Sequence, residues 1–284
     1  MKKDMINFEN YSKEEILSLI SLGIEIKNNP KKYQNKLKGV VVALWFEKPS
    51  LRTRVSFEAA ITKLGGKAVY LDFSTTHKKA NIKDEIKCLS KYVDVIVARV
   101  FKHSTLKEMQ NASDVPVINA LCEKFHPCQA LADIMTLFEV YEDPKDLVVS
   151  YVGDGNNVCN SLIELSKKVG ITLNVSTPKE YIPSISPVVW LEDPKKATLN
   201  ADVVYTDTWV SMGEEEKGKE KIIKLKDYQV NKELIGNKYF MHCLPAVRGQ
   251  EVVDEVLDSE KSLVFKQAEN RLHIQKAILL SLKT

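Results

Sequence analysis

The most constraining feature of the sequence is an apolar run that is followed directly by hydroxyl and guanidinium groups. Residues 40–45 are apolar and partly β-branched, which is typical of a buried parallel strand. Residues 46–58 then add three hydroxyl groups and two arginines ahead of a helical pattern. A helix start attracts an anion through its free N–H groups and its dipole, and arginine binds two phosphate oxygens at once. The stretch therefore predicts a phosphate site, with a capped helix and two surface arginines as the alternative.

Length and composition narrow the class of protein. At 284 residues the chain exceeds one typical domain, so two α/β domains are expected. A net charge of +3 is too small to indicate nucleic-acid binding. Five cysteines without a C-x-x-C pair favour a reducing compartment. No apolar run reaches the roughly 20 residues of a membrane helix, and the start lacks the apolar core of a signal peptide, so we expect a cytoplasmic protein.

Three more apolar runs in the first half predict parallel strands over residues 68–71, 93–99 and 115–119. Arg99 closes one of them, and ligands bind beyond the carboxyl ends of such strands, so Arg99 is expected to reach the anion. After the last run, Pro127 marks a second helix start. His126 can donate to a carbonyl oxygen there and Gln129 can bond an amide, although a capping histidine and a surface glutamine explain them equally well.

A second series of strands is predicted beyond Pro144, which cannot continue a helix and marks the domain boundary. These strands span residues 147–152, 174–178, 188–190, 201–209 and 238–246, and a terminal helix is expected from about residue 268. The turn after the first of them contains Gly153 and Gly155, but Val158 stands where a dinucleotide fingerprint needs glycine. The asparagines at 156 and 157 are more informative, because they offer amides to a small polar ligand or cap the helix.

Two further strand ends carry chemistry in the second half. Asp207, with Ser211 four residues later, suits an α-amino group. Cys243 brings a thiol to the same edge of the sheet, although an inert core cysteine is the more common explanation for such a residue.

Six motifs in this order resemble those of the aspartate/ornithine carbamoyltransferase family. They are Phe-Glu-Lys-x-Ser-x-Arg-Thr-Arg at 46–54, His-Pro-Cys-Gln at 126–129, Gly-Asp-Gly-Asn-Asn at 153–157, Asp-x-Trp-x-Ser-Met-Gly at 207–213, His-Cys-Leu-Pro at 242–245 and Ala-Glu-Asn-Arg at 268–271. The resemblance implies two doubly wound parallel-sheet α/β domains joined by two interdomain helices. Residues 1–133, completed by the C-terminal helix 268–284, would form a carbamoyl-phosphate-binding domain, and residues 134–267 an ornithine-binding domain.

The resemblance also implies an activity. The carbamoyl group of carbamoyl phosphate would pass to the δ-amine of L-ornithine, giving L-citrulline and phosphate, with arginine biosynthesis as the expected pathway. It implies no metal or organic cofactor, and a homotrimer or a multiple of trimers. Another amine acceptor (putrescine, aspartate or N-acyl-ornithine) and a non-catalytic carbamoyl-phosphate-binding regulator are the alternatives. The motif at 211–213 and Cys243 favour free ornithine, because an acceptor without an α-amino acid group leaves Asp207 unpaired.

The family pattern assigns site residues by position in this sequence. The catalytic residues would be Cys243, Arg99, His126 and Arg52. Carbamoyl phosphate would contact Ser50, Leu51, Arg52, Thr53, Arg99, His126, Gln129, Cys243, Leu244 and Arg271. Ornithine would contact Asn157, Asp207, Ser211 and Met212. Arg54 is expected to support the loop more than to touch the ligand.

Three departures from the family pattern bear on the site. Leu51 stands where many relatives have threonine, which removes a hydroxyl but leaves the backbone amide, so weaker phosphate contact is expected. The polar loop 74–81, expected to be mobile, lacks the glutamine of many relatives, and Thr75 is its nearest counterpart. The segment 178–199 is also short for the family.

Overall fold

A computed structural model describes residues 3–73, 81–141, 143–187, 189–210 and 218–282. It divides into two compact units. The first unit contains Met1–Met135 and Asn270–Thr284, and the second contains Thr136–Glu269. Each is an α/β unit with an all-parallel sheet, which confirms the predicted fold class. The binding roles and residue bounds predicted for two domains stay predictions at this point.

The first unit has a four-stranded sheet in the order β2-β1-β3-β4. Its strands are β1 (Val41–Phe46), β2 (Lys67–Asp72), β3 (Val95–Arg99) and β4 (Val117–Leu121). All four were predicted, with bounds that differ by one or two residues. Phe46 is in register with Arg99, so the carboxyl end of β1 lies beside that of β3. This register brings the phosphate-site stretch and Arg99 to one edge of the sheet.

Five α-helices are described between residues 13 and 140. They are α1 (Lys13–Asn28), α2 (Leu51–Lys63), α3 (Ile82–Leu89), α4 (His103–Ala112) and α5 (Pro127–Val140). Ser12 and Glu15 form a reciprocal capping box at the start of α1, because each side chain accepts from the other's backbone N–H. The helix start predicted within residues 46–58 is confirmed, with Ser50 as its N-cap, and so is the start predicted at Pro127.

The second unit has a five-stranded sheet in the order β7-β6-β5-β8-β9. Its strands are β5 (Val148–Val152), β6 (Thr172–Ser176), β7 (Val189–Trp190), β8 (Val203–Thr206) and β9 (Tyr239–His242). The last two are shorter than predicted, since Asp207 and Cys243 each follow a strand end instead of lying within a strand. Both residues therefore belong to the loops at the carboxyl edge, where ligands of parallel sheets bind.

The helices of the second unit are mostly short. They are α6 (Asn157–Val169), α7 (Pro194–Thr198), α8 (Gly218–Leu225), α9 (Lys232–Ile235) and α10 (Asp254–Leu257). The core beneath the sheet combines large apolar side chains, among them Trp209, Phe240 and Tyr228. Across the described ranges, no helix has the length and apolar character required to span a bilayer.

The last helix, α11 (Val264–Leu282), begins four residues before its predicted start at residue 268. Residues 264–267 contain no glycine or proline, and the N–H of Gln267 already bonds the carbonyl of Leu263 at 2.8 Å. The Ala-Glu-Asn-Arg motif therefore lies inside the helix, about one turn after its start. Both α5 and α11 begin in one unit and end in the other, as the two joining helices were predicted to do.

Candidate active site

The phosphate-site stretch forms the start of α2. Ser50 is its N-cap, with an extended backbone and a side-chain oxygen that accepts from the N–H of Thr53 at 3.4 Å. The next two residues, Leu51 and Arg52, are exposed, whereas Thr53 is buried. This local geometry leaves the first N–H groups of the helix and the Arg52 guanidinium at the surface, which suits an anion.

The two arginines of this helix start differ in their surroundings. Nε of Arg54 donates to Oε1 of Glu58 at 2.9 Å, one helical turn on, and its guanidinium lies 3.7 Å from the centre of the Tyr70 ring. Arg54 is therefore held against the surface of its own unit by a carboxylate and an aromatic face. This is the geometry that a supporting role for Arg54 requires.

Two arginines and a histidine that were predicted as site residues are buried in the first unit. Arg99 ends β3, Arg271 lies on α11, and His126 directly precedes α5; all three are less than a tenth exposed. Burial, together with the positive charges of Arg271 and Arg99, lowers the pKa of His126 well below its ordinary value. The imidazole is thus neutral at neutral pH, with one N–H to donate and one nitrogen to accept.

Arg271 bonds two of the other predicted residues. One guanidinium nitrogen donates to Oε1 of Gln129 at 2.6 Å and the other to Oγ1 of Thr53 at 3.3 Å. Nε2 of Gln129 in turn donates to Oδ1 of Asp133 at 2.8 Å. The structure therefore brings Thr53, Gln129 and Arg271 together, whereas the sequence reasoning missed Asp133. The sequence does contain a sign of it: Asp133 is an acidic residue one helical turn after Gln129, within an otherwise apolar stretch of α5.

In the second unit, the glycine-rich turn after β5 approaches another part of the chain closely. Gly155 donates its N–H to the carbonyl of Tyr181 at 3.0 Å, and a Cβ at this position would lie 2.3 Å from that oxygen. Gly153 has a φ of +125°, which side chains rarely allow. Both glycines are explained by the backbone geometry of the turn. They therefore add no evidence for a dinucleotide site, in line with the sequence prediction.

Asn156 has the capping role that the sequence left open. Its side-chain oxygen accepts from the N–H groups of Val158 and Cys159, while Nδ2 donates to Oδ2 of Asp207 at 2.7 Å. Asn157, the residue predicted to bind ornithine, is the first residue of α6 and is partly exposed. Sequence reasoning thus missed Asn156 as the residue that orients Asp207.

The predicted thiol and acid are in contact. Sγ of Cys243 donates to Oδ1 of Asp207 at 2.9 Å, and the N–H of Thr208 donates to the same oxygen at 2.8 Å. Asp207 is buried and Cys243 is partly exposed, so the pair lies at an accessible edge of the unit. Ser211 and Met212, like the loop residues 74–80, lie outside the described residues.

His242 fixes the turn that carries Cys243 and Leu244. Nδ1 of its imidazole accepts from the N–H of Leu244 at 2.8 Å, and Nε2 pairs with Oε1 of the fully buried Glu251 at 3.2 Å. Side-chain atoms of Asp207, His242 and Cys243 lie within 4.8 Å of one another, as metal ligands do. Since both nitrogens of His242 are already engaged, this group offers no free imidazole ligand. Neither His242 nor Glu251 was among the predicted site residues.

The two parallel sheets define a class, a two-unit parallel α/β protein, with a buried cationic cluster in the first unit and a thiol–carboxylate pair in the second. Residues 3–139 match the description "aspartate/ornithine carbamoyltransferase, carbamoyl-P binding domain", and residues 145–282 match the Asp/Orn binding domain of the same family. The chain therefore belongs to the aspartate/ornithine carbamoyltransferase family, as its six motifs predict.

Individual relatives are similar over nearly their full lengths. The ornithine carbamoyltransferase of Methanocaldococcus jannaschii is 45% identical, over 96% of this chain and 97% of that protein. Among solved structures, ornithine carbamoyltransferase from Thermus thermophilus has a TM-score of 0.92 at 41% identity, with both chains fully covered. The enzyme from Pyrococcus furiosus has a TM-score of 0.93 at 42% identity, over 98% of this chain and 96% of that one.

Proposed function

We propose that this protein transfers the carbamoyl group of carbamoyl phosphate to the δ-amine of L-ornithine, giving L-citrulline and phosphate. The observation that carries the proposal is the buried cluster in which Arg271 bonds both Thr53 and Gln129. Buried cations and fixed hydroxyl and amide groups are what a small dianionic acyl phosphate requires. The relatives named as ornithine carbamoyltransferases, at 41–45% identity, support the same activity.

Carbamoyl phosphate is assigned to the first domain, residues 1–133 with 268–284. The helix start of α2 supplies Ser50, Arg52 and the amide of Leu51 for the phosphate. Arg99, His126 and Gln129 are assigned to the carbamoyl group, with Thr53 and Arg271 completing the site. Because Arg99 and Arg271 are buried, their charges are less screened by water than surface charges are, so they neutralise a leaving phosphate more effectively.

Ornithine is assigned to the second domain, residues 134–267. Asp207 receives the α-ammonium, with Cys243 and Asn156 holding the carboxylate in place. Asn157, Ser211 and Met212 are proposed to bind the rest of the amino-acid head group. Leu244, with Cys243, is proposed to offer its backbone to the substrates.

The reaction follows from these assignments. The neutral δ-amine attacks the carbamoyl carbon, which forms a C–N bond, and the C–O bond to phosphate breaks. Thr53, Arg99 and the neutral His126 donate to the carbonyl oxygen as negative charge develops there. The leaving phosphate accepts the proton that the amine loses, so no separate general base is required. The chain's part is to orient the reactants and to stabilise charge.

A homotrimer, or a multiple of trimers, is proposed as the assembly. Leu51 and Val55, one turn apart on α2, are 77% and 52% exposed, and apolar side chains on one helix face favour contact with another subunit. Cysteines that are all free suit a reducing cytoplasm, and arginine biosynthesis is the proposed setting. Light scattering coupled to gel filtration tests the assembly: a mass of one or two chains contradicts it.

The activity is tested by citrulline formation from carbamoyl phosphate and L-ornithine. Putrescine, aspartate and N-acetyl-ornithine replace ornithine in parallel assays, and faster turnover of any of them overturns the proposed acceptor. Arg52→Ala is expected to lose most of the rate, as happens when a partner of transition-state charge is removed. Arg52→Lys keeps the charge but not the planar fork, so its rate is expected to lie between those of the wild type and Arg52→Ala. Binding of carbamoyl phosphate without turnover of any acceptor favours the non-catalytic regulator.

A further inference from the structure

An acidic side chain lies buried one helical turn behind Gln129. Asp133 and Gln129 are each 1% exposed, on the same face of α5. The residues around them on the helix, Ala130 to Ala132 and Ile134, are buried and apolar. A carboxylate in such surroundings is unfavourable unless it is hydrogen-bonded. Asp133 meets this condition partly by accepting from Nε2 of Gln129 at 2.8 Å.

The neighbours of Gln129 fix which way its amide points. A carboxylate only accepts hydrogen bonds, so the side of Gln129 that faces Asp133 must be the NH2 group. A guanidinium only donates, so the side that faces Arg271, at 2.6 Å, must be the carbonyl oxygen. The amide oxygen of Gln129 is therefore directed to the side where Arg271 also bonds Thr53. Reversing the amide would place two donors against Arg271 and an oxygen against a carboxylate.

This orientation matters for the choice of substrate. A carbamoyl group carries an NH2 that donates hydrogen bonds, whereas an acyl phosphate of the same shape, such as acetyl phosphate, carries a methyl group. An amide oxygen in the site accepts from the NH2 and gains nothing from the methyl. A reversed amide would present its own NH2 and would lose this distinction.

We propose that Asp133 is a positioning residue for substrate selection: it holds the Gln129 amide with its oxygen toward the carbamoyl group, so that carbamoyl phosphate is preferred over acyl phosphates. This inference rests on the proposed function, since it assumes that the Gln129 side of the first unit receives the carbamoyl group. Asp133 itself touches no reacting atom and acts through Gln129.

The test measures binding selectivity in the full-length protein. Calorimetry gives the Kd of carbamoyl phosphate, acetyl phosphate and inorganic phosphate for the wild type and for Asp133→Asn, which has the same shape. An asparagine can accept from Gln129 or donate to it, so in the variant only the hydrogen bond from Arg271 still selects the orientation of the amide. We expect carbamoyl phosphate to bind about tenfold more weakly, in line with the loss of one hydrogen bond, while acetyl phosphate and inorganic phosphate change less than about twofold.

A second variant restores the acceptor by a different route. In Asp133→Asn combined with Gln129→Glu, the glutamate presents oxygens on both sides, so one accepts from the new asparagine and the other from Arg271 and the ligand. The pair has exchanged one carboxylate for another, and the total charge is unchanged. We expect the preference for carbamoyl phosphate over acetyl phosphate to return to within about threefold of the wild type.

Several results would overturn the inference. An unchanged selectivity in Asp133→Asn would show that Asp133 does not set the amide. A parallel loss of affinity for all three ligands would show a general structural role, and a double variant that stays unselective would exclude the acceptor argument. If Asp133→Asn alone fails to fold, the double variant still decides, since wild-type selectivity is expected of it. These binding measurements contain no ornithine and do not depend on turnover. A failed selectivity test would therefore overturn only the role of Asp133, whereas an inactive wild type would contradict the proposed function.

Discussion

The thiol of Cys243 donates to Oδ1 of Asp207 over 2.9 Å, while the amide of Asn156 holds Oδ2 of the same carboxylate at 2.7 Å. Both oxygens are thus oriented by side chains from two other loops of the second unit. An acid held in this way does not have to be ordered when a cationic head group binds, so less of the binding free energy is lost. The relationship gives Cys243 a role in orienting Asp207, the residue to which the proposed function assigns the α-ammonium.

Asp207→Asn should weaken the use of ornithine selectively. The substitution removes the charge that binds the α-ammonium, and hydrogen bonds to charged groups contribute about 1.5–3 kcal/mol, so kcat/KM for ornithine should fall roughly 10- to 150-fold. The KM of carbamoyl phosphate should stay within about twofold. Steady-state kinetics with each substrate varied in turn measure both values. Cys243→Ser, which keeps a donor to Asp207, serves as the milder variant, and an equal loss in both substrates would contradict the assignment.

Arg271→Met should damage carbamoyl-phosphate use more than Arg271→Lys does. Arg271 is buried and bonds Gln129 and Thr53 with different nitrogens, so the methionine leaves two polar groups without a donor. Lysine keeps the charge but offers a single ammonium in place of a fork. We expect kcat/KM for carbamoyl phosphate to fall by at least about 100-fold in the methionine variant and by less in the lysine variant. Equal losses in the two variants would show that the fork geometry is unimportant.

Much of the fold was predictable because it depends on local signals. Buried parallel strands give continuous apolar runs, and helix starts carry side chains that satisfy free N–H groups, as Ser12 and Ser50 do, or a proline that has no N–H to satisfy, as at Pro127. Strand ends were less predictable, since Asp207 and Cys243 follow apolar runs that stop pairing a residue or two earlier. The start of α11 was missed for a related reason: no capping side chain or proline marks residue 264.

The contacts between side chains at the site depend on tertiary packing, which spacing does not reveal. The sequence placed Asn156 and Asn157 side by side in one turn, and only the structure distinguishes the residue that holds Asp207 from its neighbour. Glu251 likewise reaches His242 from nine residues away through the fold of a loop. Residues that touch a ligand follow motifs, whereas the residues that orient them are found only once the chain is folded.

Lys221→Met should destabilise the second unit. Nζ of Lys221 lies 2.8 Å from Oδ2 of Asp154, and the side chains of this pair are 9% and 7% exposed. Removing one partner of a buried ion pair leaves the other charge uncompensated, which costs about 3–5 kcal/mol of unfolding free energy. Urea unfolding followed by circular dichroism measures the loss. Lys195→Met, which breaks the exposed pair with Glu233, is the matched control and should cost less than about 1 kcal/mol.

Leu51→Thr should strengthen phosphate binding with little effect on stability. Leu51 is the first residue of α2 and is 77% exposed in the single chain, so its replacement removes almost no packing within the chain. The threonine adds a hydroxyl beside the free N–H groups of the helix start. We expect the KM of carbamoyl phosphate to fall severalfold, as one added hydrogen bond allows, and the unfolding free energy to change by less than about 0.5 kcal/mol. Leu51→Val, which adds a branch but no hydroxyl, should leave the KM unchanged, and an equal effect of both substitutions would contradict the prediction.

Below neutral pH, His126 should make the protein less stable. Its pKa is lowered by burial first and then by Arg271 and Arg99, so between the folded and unfolded pKa values only the unfolded chain takes up the proton. The contribution of His126 to the free energy of unfolding is complete above the unfolded pKa of about 6.5. It is lost as the pH falls below that value, by at most about 1.4 kcal/mol per pH unit. His103, whose pKa is also lowered mainly by burial, adds a loss in the same direction.

His126→Asn isolates the contribution of that one histidine, because asparagine does not titrate and the His103 term remains. Unfolding free energies from urea titrations at pH 7.5 and 5.5 give the loss on acidification for each protein. We expect the wild type to lose about 1 kcal/mol more than the variant over this interval. His103→Asn, measured in the same way, should reduce the loss less, because the pKa of His103 is lowered less: burial, Lys107 and Lys124 lower it, and Glu123 opposes them. An identical loss in the wild type and His126→Asn would mean that folding does not lower the pKa of His126, which would contradict the buried, neutral imidazole described for the site.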